Sequence, residues 1–257
     1  MKYFIGIAIA FVGFFLASQH LNQTIQEYWD FVAFFVVILG TGAVMLMTSP
    51  AVPKGILLSK FSQKFYNSGK SLKAHGEACL KVYSSRGTEN LGKSIEDQLL
   101  KDGLELQSLG FNGDKVQEIV SQSFQTYATK VILISSWLRR CAKYPPAFGL
   151  AGTVLGLIHL MRGISTGIDP KETGLRMAVA LVATFYGLLI SNLFLNPVGE
   201  WLSEELKKDE IKSEMSLLTV SLIEEGVDYL EIQEKINSYL MGSERLKMDM
   251  SLVSEAA

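Results

Sequence analysis

Four stretches of this chain, Tyr3 to Ser18, Phe31 to Met47, Pro146 to Met161 and Met177 to Leu195, contain no Asp, Glu, Lys or Arg. Each approaches the ~17–25 residues that a helix needs to cross a hydrocarbon core. Helices buried in a soluble protein normally keep a polar stripe, whereas these are apolar all round. The bilayer is therefore the expected solvent, and a mean hydropathy of +0.23, with 48% hydrophobic and only 19% charged residues, agrees. Extended into their polar rims, the spans are expected at about residues 3–20, 29–48, 144–162 and 176–196. The first reads as a retained anchor, because Ala17-Ser18-Gln19 is a poor cleavage site and a second apolar run follows at once.

Short polar turns, His20 to Asp30 and Arg162 to Arg176, join the spans into two hairpins. The fold expected is an all-α membrane protein of four transmembrane helices with a helical cytoplasmic domain. Residues 1–49 form the first hairpin, 50–143 the cytoplasmic domain, 144–197 the second hairpin and 198–257 a cytoplasmic helical tail. Basic residues set the orientation. Lys54, Lys60 and Lys64 follow the second span, Arg139, Arg140 and Lys143 precede the third, and Lys207 and Lys208 follow the fourth, while the first turn has neither Lys nor Arg. By the positive-inside rule both termini and the long central segment are cytoplasmic.

Within that segment the pattern predicts helices over Ser59 to Ser84, broken at Gly69 and Gly76, over Ile95 to Leu109, and over Asp114 to Leu138 after an Asn112-Gly113-Asp114 turn. The tail, from Asn196-Pro197 onward, continues the fourth span as an amphipathic helix. Cys79 and Cys141 fall on the reducing side and are expected to be unpaired. A net charge of −2 offers nothing to nucleic-acid phosphates. No phosphate loop, zinc spacing or nucleophile constellation points to an enzyme, and Gly149-x-x-Gly152 lies inside a span.

The third and fourth spans differ in kind from the first two. Gly149, Thr153 and Gly156 share a helical face with Gly152 beside them, and Ala180, Thr184, Gly187 and Ser191 make a matching stripe. Small residues let helices approach closely and a membrane hydroxyl needs a partner, so the two faces are expected to meet. Either they form a polar conduit, or the hydroxyls bond the preceding turn and the stripes only pack helices. Ion transport needs a group that can carry charge, yet no ionisable residue lies deep in a span, and His159 sits toward the outer end of the third. Either the chain conducts nothing or another chain brings the acid.

At this point the residues carry a likeness. Pro145-Pro146-Ala147-Phe148-Gly149-Leu150-Ala151-Gly152-Thr153-Val154-Leu155-Gly156-Leu157 resembles the third-helix signature of the MotA/PomA flagellar stator family, and Met177 to Gly187 resembles the fourth. Gly40-Thr41-Gly42-Ala43, Asp169-Pro170, Asn196-Pro197 and the tail from Glu225-Gly226 to Tyr239-Leu240 fit as well. The resemblance implies an ion-conducting subunit of the bacterial inner membrane that couples H+ or Na+ flow to torque on the rotor. It implies a homopentamer around two copies of a MotB/PomB-type single-span, peptidoglycan-binding partner, which supplies the missing aspartate, and contact with the rotor's C-ring. No cofactor is implied beyond the transported ion. Thr153 and Thr184, with Gly149 and Ala180, match the ion pathway, and Pro146 and Pro197 match the prolines that couple ion passage to movement.

Arg86 matches the basic rotor-contact residue of the family. Ser94 stands where its acid is expected, with Glu96 and Asp97 just beyond, so these two take that role. Hydroxyls at both threonine positions suit Na+, whereas Lys143 and Tyr144 stand where sodium-driven relatives carry an acid. Two rival readings remain. An ExbB/TolQ-like energising subunit is opposed by the extra first hairpin, and a passive membrane scaffold would use the small-residue stripes for packing alone.

Overall fold

A computed structural model of the chain describes residues 2–20, 30–51, 55, 71–85, 91–92, 94–165, 167 and 169–247. Every regular element among them is helical: α1 (Lys2–His20), α2 (Phe31–Met47), α3 (Leu72–Ser85), α4 (Ile95–Ser108), α5 (Gly113–Cys141), α6 (Tyr144–Ser165), α7 (Pro170–Leu189), a π-helical segment (Ile190–Leu195), α8 (Asn196–Glu225) and α9 (Tyr229–Asn237). The first turn, with most of its residues, and the segment expected to break at Gly69 lie outside the described residues.

The chain forms two compact units, the first comprising 1–51 and 133–202 and the second 52–132 and 203–257. Two continuous helical runs, Gly113–Ser165 and Ala180–Glu225, contain stretches long and apolar enough to cross a membrane, and α2 is a shorter apolar helix. In the first unit large apolar side chains point outward while small ones line the inside. Val32 and Leu46 are 72% exposed and Leu150 and Leu155 are 60% exposed, whereas Gly149, Ala180 and Ala183 are buried. That inside-out distribution suits an apolar solvent, where close backbone approach replaces hydrophobic collapse as the source of helix association.

Asp30 starts α2: its Oδ1 accepts the Ala33 amide at 2.7 Å, a side-chain cap for an orphan donor of the first turn. Its own main-chain N–H donates to the Tyr186 hydroxyl of α7 at 3.2 Å, and the Phe34 ring meets Tyr186 edge-on at 5.9 Å. Ala33, Val37 and Thr41 are the buried face of α2. Gly40 leaves room for the ring of Phe148, which a Cβ there would overlap.

The turn between α6 and α7 is shorter than its polar sequence suggested. α6 runs on to Ser165, and α7 starts six residues before the expected 176, at Pro170, because a proline in the first helical position has no donor to waste and fixes φ in the helical range. Asp169 then accepts the Thr173 amide at 3.1 Å.

The second unit is built around an apolar core that includes Leu99, Leu100, Val116, Val120, Met215, Leu222, Ile232 and Ile236. Gly76 does not break a helix here; it sits inside α3. A Cβ at that position would lie 3.1 Å from Ile236 and 3.2 Å from Met215, so glycine is the residue that lets α3 approach its neighbours. Gly110, with φ of 84°, makes the turn after α4 in a left-handed conformation that L side chains avoid.

Candidate functional site

α6 and α7 meet along their small-residue stripes, and the glycines explain how. A Cβ on Gly149 would lie 2.7 Å from the Ala183 carbonyl oxygen, one on Gly152 3.0 Å from Ala183 Cβ, and one on Gly156 2.6 Å from Ala180 Cβ. A Cβ on Gly187 would run into the carbonyl of Pro145. No larger residue fits this seam without moving a backbone.

The close approach brings two hydroxyls together. Thr153 Oγ1 and Thr184 Oγ1 are 2.5 Å apart. Thr153 also lies in donor range of the Gly149 carbonyl at 3.1 Å and the Ala180 carbonyl at 3.0 Å, and Thr184 of the Gly149 carbonyl at 3.2 Å. The Thr153 hydroxyl thus reaches both its own preceding turn and the facing helix. Each hydroxyl has one proton to give. Whichever way the pair points, one donates to the other and the recipient donates to a carbonyl, leaving oxygen lone pairs along the seam. Those are hard oxygen ligands for a cation, or stations for a proton, but neither hydroxyl titrates.

Pro145 and Pro146 occupy the first turn of α6, where a missing N–H costs least. Pro197 falls in the first turn of α8, directly after the π-helical segment. A proline there removes the donor that would bond the Leu193 carbonyl, and a π-helical stretch is one of the ways a helix absorbs such a gap. Pro197 therefore marks no helix end: the helix continues through it. His159 is exposed near the end of α6 away from Pro146.

Among the rotor-contact candidates, Arg86 lies outside the described residues. Glu96 and Asp97, expected on a contact surface, are instead buried, at 3% and 0% exposure. The reason is local. Asp97 Oδ2 accepts the Ser94 hydroxyl at 2.8 Å and the Gly92 amide at 3.0 Å, closing the start of α4, where a carboxylate also meets the positive end of the helix dipole. Glu96 receives the Lys212 ammonium at 2.9 Å. Burial raises the Glu96 pKa, but the Lys212 charge and hydrogen bonds from Lys212 and the backbone outweigh it and hold the carboxyl below its ordinary 4.5. His75, fully buried, completes the cluster with Nε2 2.9 Å from Ser216 Oγ and Nδ1 3.8 Å from Asp97. The Ser94-x-x-Asp97 spacing is a helix-start signature and could have flagged Asp97 as internal. Nothing in the sequence marks His75.

Tyr127 donates to Asp209 at 3.0 Å, and burial followed by that carboxylate pushes its pKa upward. Cys79 and Cys141 are both buried thiols outside any disulfide, and the Cys79 sulfur lies 3.6 Å from His75 Nε2.

Among the described residues the helices α6 and α7 thus meet along a glycine-packed seam that carries two facing hydroxyls. Residues 91–215 match the model of the MotA/TolQ/ExbB proton channel family. The chain is 23% identical over 267 residues to Motility protein A of Borreliella burgdorferi, with 98% of each chain covered. It is 27% identical over 167 residues to Motility protein A of Treponema pallidum, covering 63% of this chain and 62% of that one. Its fold is similar to that in a structure of C. jejuni MotAB, with a TM-score of 0.81 at 15% identity over 96% of this chain and 99% of that one.

Proposed function

We propose that this chain is the ion-conducting stator subunit of a bacterial flagellar motor, coupling ion flow to torque on the rotor. The observation that carries this reading is the paired hydroxyl seam of Thr153 and Thr184, in helices that offer no buried acid of their own among the described residues. The conducting carboxylate then belongs to a MotB/PomB-type single-span partner, around two copies of which five copies of this chain assemble. Thr153, Thr184, Gly149 and Ala180 line the passage. Pro146 and Pro197 flex as the site gains and loses charge, and the chain acts as a motor component and carries out no enzymatic reaction.

In this reading α1, α2, α6 and α7, with the π-helical segment, are four spans of the inner membrane. Both termini and the second unit are cytoplasmic, as the distribution of Lys and Arg requires. The rotor's C-ring meets charges of that unit, Arg86 being the residue that matches the family's basic contact, while Glu96 and Asp97 hold the unit's interior together. The family description favours protons, and the hydroxyl pair remains compatible with Na+.

The test is complementation. The chain and its partner, expressed in a bacterium stripped of its own stators, restore swimming. Swimming that collapses under a protonophore and ignores external Na+ identifies the ion as H+, and failure of any swimming with both chains present in the membrane would sink the reading.

A further inference from the structure

The two prolines are linked through Ser191, the last member of the fourth-span stripe. Pro146 has no N–H to offer the Ala142 carbonyl four residues earlier, in the corner between α5 and α6. The Ser191 hydroxyl donates to that carbonyl at 2.6 Å, and Ser191 is buried. Ser191 also belongs to the π-helical segment, and its carbonyl accepts the Asn196 amide in the wide register of that segment. Pro197 follows immediately. On the far side of Pro197, the Ser135 hydroxyl donates to the Gly199 carbonyl at 2.8 Å, also buried. The surplus residue of the π-helical segment is thus held between two fixed points on α5 and the α5–α6 corner.

We infer that Ser191 is a positioning residue of the conduction step: by satisfying the carbonyl that Pro146 leaves bare, it locks the π register above Pro197 and so sets the height and facing of Thr184 against Thr153. Thr184 lies seven residues before Ser191, two helical turns along the same face. If the latch is lost, the π-helical segment reverts to α geometry. One residue of slip turns α7 by about 100° and shifts it by about 1.5 Å, which takes the Thr184 hydroxyl out of reach of its partner. The inference rests on the stator reading and adds to it the residue that ties one proline site to the other.

The experiment compares the wild-type chain with S191A, S191T and S191C, each expressed with its partner in the stator-less host. Swimming speed is recorded against external Na+ and against pH, with membrane abundance measured alongside. The expected result is a half-saturating ion concentration shifted by about fivefold or more in S191A at normal abundance, since misplacing a reacting group by an ångström carries effects of that order. S191T, which keeps the donor, stays near wild type. P146A restores an N–H that competes for the Ala142 carbonyl, so its effect combined with S191A is less than the product of the two.

A half-saturation in S191A unchanged from wild type, whatever the top speed, would overturn the inference, as would a shift in S191T equal to that in S191A. S191C keeps the volume with a weaker donor and is read in place of S191A if the latter does not accumulate. If neither accumulates while S191T does, Ser191 serves folding rather than positioning and the inference fails. A wild-type chain that gives no motility at all overturns the stator reading instead, which keeps the two failures apart.

Discussion

The Lys212 ammonium lies 2.9 Å from Glu96 Oε1, with both side chains almost wholly withdrawn from solvent, at 8% and 4% exposure. A pair so placed is worth little against an apolar substitute, but half of it is costly, because the survivor is a buried charge without its counterpart. Lys212→Met should therefore cost about 3–5 kcal/mol in the stability of the purified protein. The double variant Glu96→Leu with Lys212→Met should recover most of that loss. Equal instability of single and double variants in thermal unfolding would refute the account.

The same pair sets an acid dependence. Glu96 is held below its ordinary 4.5 in the folded chain, so the unfolded state takes up its proton first as pH falls. The stabilisation is fully present above the unfolded value and is lost as pH drops through the folded one. Melting temperature followed from pH 7 to pH 3, as a conventional titration range around the carboxylate values, should fall below about pH 4.5 in the wild type. Glu96→Gln, though less stable throughout, should lack that component of the slope.

Thr184→Val removes the hydroxyl with little change in volume. It should lower swimming speed by about half or more while leaving membrane abundance intact, because the seam loses a polar station rather than its packing. Thr184→Ser should retain most of the speed. Speed loss in exact proportion to loss of protein from the membrane would argue for packing alone.

Gly149→Ala places a methyl group 2.7 Å from the Ala183 carbonyl and 2.8 Å from Thr184 Cα. Neither atom can yield without shifting α7, so the change should cost about 1–3 kcal/mol and uncouple the threonine pair. A melting temperature of the detergent-solubilised variant equal to that of the wild type would refute the clash.

In the second unit, Gly103→Ala sets a Cβ 2.8 Å from Val220 Cγ2, and here the obstacle is a side chain. The expected penalty of about 1–3 kcal/mol should be largely relieved by Val220→Ala, which removes the obstructing methyls. Persistence of the full penalty in the double variant would show that the clash lies elsewhere.

Helices, their order and the meeting of the two small-residue stripes were legible because each rests on a local pattern: absence of charge over a span, or glycine and threonine at helical spacing. Gly76 misled because glycine is a poor helix former in isolation, and only the approach of Ile236 and Met215 explains its place inside α3. Glu96 and Asp97 misled for a related reason. A carboxylate reads as surface until its partner is known, and Lys212 stands more than a hundred residues away in the chain. The π-helical segment had no sequence mark of its own beyond the proline that follows it. Ser191 was visible as a member of a stripe, but its partner is a main-chain carbonyl exposed by a proline in another helix, a relation that exists only once α6 and α7 are side by side.

The bond from the Asp30 amide to Tyr186 has an evolutionary consequence. Its donor is a group that every amino acid except proline carries, so the address at which the first hairpin docks is written in the backbone and survives almost any substitution at residue 30. The acceptor has no such freedom: a hydroxyl at the far end of a ring belongs to tyrosine alone. In this one bond the α2 side is therefore held by main chain and the α7 side by a single side chain, so substitution at residue 30 spares the bond where substitution at Tyr186 removes it.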